Sequence, residues 1–135
     1  MPKPPVAGNL VWEGDLRFRA ASGTTQIVID GDSSAGPSPV QTLIISLAGC
    51  MAIDVVSILR KGRHPVGPFS VKLVGTRADD HPHRFLRIEL HFEIHGNVPA
   101  GAVERALELS REKYCSVWHS LRQDIELTTA FEVVP

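Results

Sequence analysis

The sequence lacks excess charge, a dense set of cysteines and the common nucleotide-binding or hydrolase fingerprints. Its 14 lysine and arginine residues nearly balance 15 aspartate and glutamate residues, so the formal net charge is −1. Nucleic acids and anionic membranes bind basic protein surfaces, so this balance argues against both as partners. Two cysteines are too few for a disulfide-stabilised scaffold. No P-loop, GxSxG, CxxC or Rossmann motif is present.

The N-terminus and the longest apolar run both bear on where the protein acts. Residues 1–5 contain three prolines and one lysine, and no apolar core follows them. A secretory signal needs such a core, so we expect a cytoplasmic protein. The apolar run, residues 43–59, is interrupted by Asp54. A membrane span needs ~20 apolar residues, and a carboxylate at its centre costs roughly 2.5–3.5 kcal/mol. The run therefore predicts a helix buried on nearly all sides, inside a soluble protein or in its dimer interface.

The remaining patterns predict one α+β domain over residues 1–135 with a mainly antiparallel sheet. Alternating or β-branched segments predict strands at residues 9–20, 24–29, 69–76, 86–95 and 124–133. A capping box of Ser38 and Gln41, with Pro39 at the first helical position, predicts a helix to about residue 60. A second helix is predicted over residues 100–122. One small subunit cannot cover the apolar first helix, so we expect a homodimer.

The two cysteines lie on the two predicted helices. Cys50 is surrounded by small residues, and Cys115 has Arg111 and His119 four residues to either side. On a continuous helix both cations would favour a Cys115 thiolate, whereas Asp54, one turn after Cys50, would oppose ionisation nearby. Free cysteines often serve only as buried packing residues. From the residues alone, redox chemistry and inert packing therefore both remain open.

Two segments resemble the cysteine signatures of the OsmC/Ohr family, with the pattern of its YhfA-like subgroup. They are SPVQTLIISLAGCMAIDVVSILRKGR, residues 38–63, and LSREKYCSV, residues 109–117. The resemblance extends over nearly the whole chain and includes the closing FEVV, residues 131–134. It implies an OsmC-like fold in which a mainly antiparallel sheet wraps around two long helices. It also implies an intertwined homodimer with active sites at the subunit interface.

The same resemblance implies a thiol-dependent peroxidase that acts on organic hydroperoxides. Cys50 would be the peroxidatic thiolate, which attacks the O–O bond and becomes a sulfenic acid. Cys115 would be the resolving thiol, which condenses with that acid to a disulfide. A dithiol such as a lipoyl group, or another thiol, would then reduce the enzyme. Sulfur carries the electrons, so neither a metal nor an organic cofactor is implied.

The sequence departs from the family at the residues that orient the substrate. Family peroxidases place a glutamate near the start of the central helix and an arginine on an early strand. Gln41 stands at the glutamate position, and Arg17 or Arg19 is the candidate arginine. Gln41 cannot carry the charge and also fits a capping role, and either arginine also fits a solvated strand. The alternative function is thus a non-enzymatic stress-related protein that binds an apolar or electrophilic ligand in the dimer crevice. A structural stress protein with inert cysteines is a third interpretation.

A histidine-rich strand offers a weaker metal-binding pattern. His91, Glu93 and His95 alternate on one strand face, where a metal could use them. Arg87 and Glu89 share that face, which is more typical of a solvated surface. We therefore expect no metal site there.

Overall fold

The computed structural model describes residues 2–135, which fall into two units, the first ending at Leu43 and the second spanning Ile44–Pro135. The elements, in chain order, are strands β1 (Asn9–Gly14), β2 (Arg17–Ser22) and β3 (Thr25–Asp30), helix α1 (Pro39–Lys61), strands β4 (Phe69–Arg77) and β5 (Phe85–His95), helix α2 (Ala100–Leu109), a π-helical turn (Ser110–Tyr114), the short helix α3 (Ser116–His119) and strand β6 (Glu126–Val134). The predicted α+β class is confirmed. Strand pairs in the described residues are antiparallel except for β5 and β6, which run parallel.

The first unit contains a three-stranded sheet in the order β1-β2-β3. The single strand predicted over residues 9–20 is wrong, because the chain reverses between β1 and β2. Gly14 (φ 107°) and Asp15 (φ 47°) both adopt left-handed backbone conformations at this turn. The Trp12 indole N–H donates to the Asp15 carbonyl at 2.9 Å. The turn is therefore held by local contacts that the polar-apolar alternation does not reveal.

A buried aspartate organises the loop that leads to α1. The Asp30 carboxylate accepts hydrogen bonds from the Ala35 N–H at 2.9 Å, the Asp32 N–H at 2.9 Å and the Ser34 hydroxyl at 3.2 Å. The Ala35 bond is the main reason that the pKa of Asp30 lies below its usual value. Asp30 is 1% exposed, and these three donors satisfy its charge.

The predicted capping box begins α1. The Ser38 hydroxyl accepts from the Gln41 N–H at 3.3 Å, and the Gln41 side-chain oxygen accepts from the Ser38 N–H at 2.8 Å. Two of the N–H groups that a helix start leaves unpaired are thereby satisfied. The helix ends at Lys61, one residue beyond the predicted end. Local sequence therefore specifies this element at both ends.

In the single chain, one stripe of α1 is buried. The buried residues recur at three- and four-residue steps, namely Ile44, Leu47, Ala48, Met51, Val55 and Leu59. Ile45 is 49% exposed and Ile53 is 70% exposed in the single chain. By length and mean hydropathy (2.2) α1 also meets the criteria for a membrane span, a test that core helices of soluble proteins pass as well. The buried stripe and the central Asp54 mark α1 as the core helix of a soluble fold.

The second unit packs α1 against a mixed sheet in the order β4-β5-β6. A Cβ added at Gly75 of β4 would lie 2.5 Å from the Phe85 ring and 2.6 Å from the Ile44 side chain, so helix and sheet approach closely here. The buried face of β5 carries Phe85, Ile88, Leu90, Phe92 and Ile94. Leu86, predicted on that face, is 41% exposed. A register shift between Thr76 and Arg77 changes the alternation at this end of the strand.

The second predicted helix is interrupted, so the prediction of one helix over residues 100–122 is wrong. After α2 the backbone widens into the π-helical turn, and Cys115 leaves the helical region with ψ 97°. A new helical segment, α3, begins at Ser116. The sequence of the turn, SREKY, contains neither glycine nor proline. Tertiary contacts must therefore stabilise a break that local propensity does not require.

Candidate functional site

Tertiary folding brings the two cysteines together. Both are free thiols, with Cys50 half-buried and Cys115 fully buried. Their sulfur atoms and a carboxylate oxygen of Asp54 all lie within 4.8 Å of one another. The sulfur atoms of a disulfide are ~2.0 Å apart, so the two thiols are near neighbours but are not bonded. Residues that are distant in the sequence therefore share one site.

Helix α1 supplies two of the three groups from one face. Cys50 and Asp54 are four residues apart, the spacing at which side chains are neighbours on an α-helix. A Cβ added at Gly49 would meet nothing within 4 Å, so the space beside Cys50 is open in the single chain. Because Cys50 is only half-buried, it is the more accessible of the two thiols.

The helix break positions Cys115. The Cys115 N–H donates to the Ser110 carbonyl at 2.8 Å, which closes the π-helical turn. The Trp118 N–H donates to the Cys115 sulfur at 3.3 Å, so the thiol caps the start of α3. Two backbone hydrogen bonds thus determine where this sulfur lies.

Ser110 links the π-helical turn to α1. Its hydroxyl donates to Asp54 Oδ2 at 2.8 Å, and the serine itself is fully buried. This hydrogen bond is costly to break, because the fully buried Ser110 hydroxyl would be left without a partner. Ser110 was not among the predicted site residues. The feature of the sequence that could have identified Ser110 is its position, as a small polar residue, on the otherwise apolar stripe of the second predicted helix.

The environment of Cys115 favours the neutral thiol. Burial is the largest cause that raises its pKa to about 11, and the hydrogen bond from the Trp118 N–H only partly offsets this. The neighbouring Cys50 thiol and the Asp54 carboxylate raise the Cys115 pKa further. Cys115 is therefore protonated at neutral pH and unsuited to act as the first nucleophile.

Arg111 and His119 do not have the predicted relation to Cys115. Because the helix is interrupted, the four-residue spacing no longer aligns these side chains beside the thiol. The Arg111 guanidinium lies 5.9 Å from the centre of the Trp118 ring, and His119 Nε2 lies 2.9 Å from the Arg111 carbonyl oxygen. Neither cation is among the described groups that shift the Cys115 pKa. The expected stabilisation of a Cys115 thiolate is therefore wrong.

The other predicted site residues belong to the first unit. Arg17 forms an ion pair with Asp15 at 3.7 Å, and Arg19 donates to Glu13 at 2.9 Å. Both are at least one-third exposed, as expected for solvated strand residues. Gln41 completes the capping box and also accepts from the Ser33 hydroxyl at 3.0 Å. A role for these three residues in orienting a substrate remains a prediction.

Two groups of side chains bear on metal binding. On the histidine-rich strand, His95 pairs with Glu93 at 3.1 Å and His91 approaches Glu132 at 3.9 Å. All four side chains are at least one-third exposed, which agrees with a solvated face. In the described part of the chain, the group whose ligand atoms converge is instead Cys50, Asp54 and Cys115.

Comparison with known proteins agrees with this architecture. The family profile described as OsmC-like protein matches residues 30–130. Protein YhfA of Escherichia coli (strain K12) is 44% identical over 133 residues, which cover 96% of this chain and 98% of that protein. Two solved structures share the fold at lower identity. The OsmC-like protein of Mycoplasma pneumoniae is 17% identical, with a TM-score of 0.85 over 99% of this chain and 100% of that chain. An organic hydroperoxide resistance protein of Elizabethkingia anophelis is 14% identical, with a TM-score of 0.66 over 98% of each chain.

The family match spans most of the chain, and the curated relative is similar along almost its whole length. The two neighbouring thiols described above are compatible with a peroxide-related redox role. The chain therefore belongs to the OsmC-like family.

Proposed function

We propose that this protein is a thiol-dependent peroxidase that reduces organic hydroperoxides through Cys50 and Cys115. The observation that carries the proposal is the convergence of the two sulfurs within 4.8 Å, one half-buried and the other fully buried. This asymmetry suits a pair in which one thiol meets the substrate and the other acts afterwards. The name of the structurally similar Elizabethkingia anophelis protein, an organic hydroperoxide resistance protein, agrees with the substrate class.

The reaction begins at Cys50. Its thiolate attacks one oxygen of the hydroperoxide, the O–O bond breaks, and the other oxygen takes up a proton and leaves as an alcohol. Cys50 becomes a sulfenic acid, so sulfur is oxidised by two electrons. Cys115 is fully buried and protonated at neutral pH, so it is a poor first nucleophile.

Cys115 completes the oxidation. Its sulfur attacks the Cys50 sulfur, the S–O bond of the sulfenic acid breaks, and an S–S bond forms. The hydroxyl leaves with the Cys115 proton as water. A reducing dithiol, of the lipoyl type or another thiol, attacks the disulfide at the more exposed Cys50 and restores both thiols. No metal or organic cofactor enters these steps.

Apolar side chains on the helix that carries Cys50 support an organic substrate. An open cleft of about 690 Å³ on α1 is lined by Ala52, Ile53, Val56 and Phe69, together with Ser57, Arg60 and Lys61. An apolar substituent gains ~25 cal/mol for each Å² removed from water, which hydrogen peroxide cannot provide. We expect cumene hydroperoxide to react faster than hydrogen peroxide, as measured by stopped-flow oxidation of the reduced protein. Equal rate constants would contradict this preference.

The proposal includes an intertwined homodimer of single-domain subunits in the cytoplasm. Large apolar side chains are exposed on both units of the single chain, among them Trp12 (63%) and Ile53 (70%). Apolar patches of this kind in soluble proteins are usually covered by a partner. A second copy that supplies this cover would also enclose the space beside Gly49 and Cys50. A reducing cytoplasm would keep both thiols available between turnovers.

The decisive experiment is mass spectrometry of the reduced protein after one equivalent of cumene hydroperoxide. We expect a Cys50–Cys115 disulfide and one equivalent of alcohol. Cys50→Ser should abolish consumption, because a serine hydroxyl is too basic to replace a thiolate. Cys115→Ser should allow one oxidation, which dimedone traps on Cys50 as the sulfenic acid, and should then stop turnover.

The same variants distinguish the competing interpretations. A dimedone adduct on Cys115 in Cys50→Ser, with none on Cys50 in Cys115→Ser, would reverse the assignment. No adduct on either would exclude a peroxidase. The alternative, a stress-related binding protein, is favoured by the use of Gln41 in the helix cap, where the family peroxidases carry a charged glutamate. That function predicts saturable binding of an apolar ligand with both thiols unchanged.

A further inference from the structure

The site contains a carboxylate that the proposed peroxidase steps do not use. Asp54 shares one face of α1 with Cys50, and its carboxylate lies within 4.8 Å of both sulfurs. Two thiols and one carboxylate are a donor set that Zn²⁺ binds in proteins. We propose that the reduced protein binds one Zn²⁺ ion per chain through Cys50, Asp54 and Cys115, and that oxidation of the thiols releases the ion.

The distances require only small side-chain movements. With Zn–S bonds of ~2.3 Å and Zn–O bonds of ~2.0–2.2 Å, a tetrahedral site places its ligand atoms ~3.5–3.8 Å apart. The three ligand atoms are within 4.8 Å of one another without an ion. Rotation of the Cys50 and Asp54 side chains on α1 can close this gap while the backbone stays in place. Ligands four residues apart on one helix are also a common arrangement in zinc proteins.

Two of the three ligands already have the supporting hydrogen bonds that metal ligands usually have. The fully buried Ser110 donates to Asp54 Oδ2 at 2.8 Å, which leaves Oδ1 available to a metal. The Trp118 N–H donates to the Cys115 sulfur at 3.3 Å. Such outer partners orient the ligand atoms and reduce the cost of bringing them together. The half-buried Cys50 lies on the side from which an ion can enter.

Three protein ligands leave the fourth tetrahedral position to water or a small thiol. On binding, the two thiol protons leave to solvent and two Zn–S bonds form. A bound ion would occupy both sulfurs and slow their reaction with hydroperoxide. When two electrons leave the sulfurs and the S–S bond forms, the thiolate ligands no longer exist. Zn²⁺ is then released, and the hydroperoxide accepts the two electrons, takes up two protons from solvent and becomes alcohol and water.

The test is a Zn²⁺ titration of the reduced full-length protein, without an affinity tag and without oxygen, against a chromophoric chelator. We expect one ion per chain. Asp54→Asn should weaken binding by ~tenfold or more, while its amide oxygen still accepts from Ser110. Asp79→Asn, at an exposed carboxylate between β4 and β5, is the matched control and should bind like the wild type. Alkylation of the half-buried Cys50 with iodoacetamide should abolish binding.

Three results would each overturn the proposal. They are no binding by the reduced wild type, equal affinity in Asp54→Asn and Asp79→Asn, or undiminished binding after alkylation. Alkylation tests the thiol ligand in the wild-type fold, without a substitution that could prevent folding. The outcome is independent of the peroxidase assay, since a chain that binds Zn²⁺ but consumes no hydroperoxide would overturn only the proposed function. A chain that consumes hydroperoxide but binds no Zn²⁺ would overturn only this inference.

Discussion

Burial determines the chemistry of Cys115 at the scale of the single residue. The same fully buried position that raises its pKa to about 11 also makes ionisation of this thiol costly to the fold. In the unfolded chain the thiol returns to its ordinary pKa, near 9.0. The folded state therefore holds the proton more tightly. Its stabilising contribution is complete below pH 9 and is lost as the pH rises through the interval to about 11.

This linkage predicts a specific alkaline destabilisation. Between pH 9 and 11 the wild type should lose roughly 2–3 kcal/mol of unfolding free energy that Cys115→Ser does not lose, since one pKa unit corresponds to 1.36 kcal/mol. Urea denaturation at a series of pH values, under reducing conditions, measures the difference. Titration of groups that do not interact with Cys115 cancels when the two proteins are compared. Parallel stability curves for the two proteins would show that Cys115 ionises as freely in the folded state as in the unfolded one.

At the scale of elements, the junction between α1 and the π-helical turn depends on Ser110. Ser110→Ala leaves the Asp54 carboxylate without its 2.8 Å donor and frees the turn that positions Cys115. We expect a loss of ~1–3 kcal/mol in unfolding free energy and a ~tenfold or greater fall in the rate of disulfide formation. Ser120→Ala, which removes an exposed serine bonded to the Ser116 carbonyl, is the control. If the two variants behave alike, the link between Ser110 and Asp54 does not hold the site.

The contact between α1 and β4 can be tested at Gly75. Its added Cβ would overlap Phe85 and Ile44, so Gly75→Ala should destabilise the protein by ~1–3 kcal/mol. Gly101, inside α2, has nothing within 4 Å of an added Cβ. Gly101→Ala should therefore stabilise slightly, by up to ~1 kcal/mol, because alanine favours the helix. Thermal and urea unfolding of both variants provide the comparison. A neutral Gly75→Ala would mean that helix and sheet are not in close contact at this position.

At the scale of the whole molecule, the exposed apolar residues lead us to expect an obligate dimer. Ile53 is the most exposed large apolar residue of α1, at 70%. A lysine there would have to lose its hydration on assembly, so Ile53→Lys should shift the protein from dimer towards monomer. Glu104→Lys, on the exposed side of α2, should leave the dimer intact. Sedimentation velocity at low micromolar concentration distinguishes the species. A wild type that sediments as a well-folded monomer would contradict the expectation.

The sequence by itself determined the features that depend on near neighbours along the chain. The capping box of Ser38 and Gln41 predicted the start of α1, because its two partners lie within one helical turn of each other. The alternation of apolar and polar residues in β5 predicted a strand with one buried face, because successive side chains of a strand point to opposite faces of the sheet. The resemblance of the two cysteine segments to the OsmC/Ohr signatures identified the family without any knowledge of the distance between the two thiols.

Only the tertiary structure decided the geometry of the site. No local pattern indicates that the second helix is interrupted after Leu109, where Ser110 donates a hydrogen bond to Asp54 on α1. For the same reason the flanking Arg111 and His119 were misinterpreted, since their spacing has meaning only on a continuous helix. The raised pKa of Cys115 likewise follows from burial beside Cys50 and Asp54. Desolvation and charge interactions depend on distance in space, and distance in space is set by packing between segments far apart in the sequence.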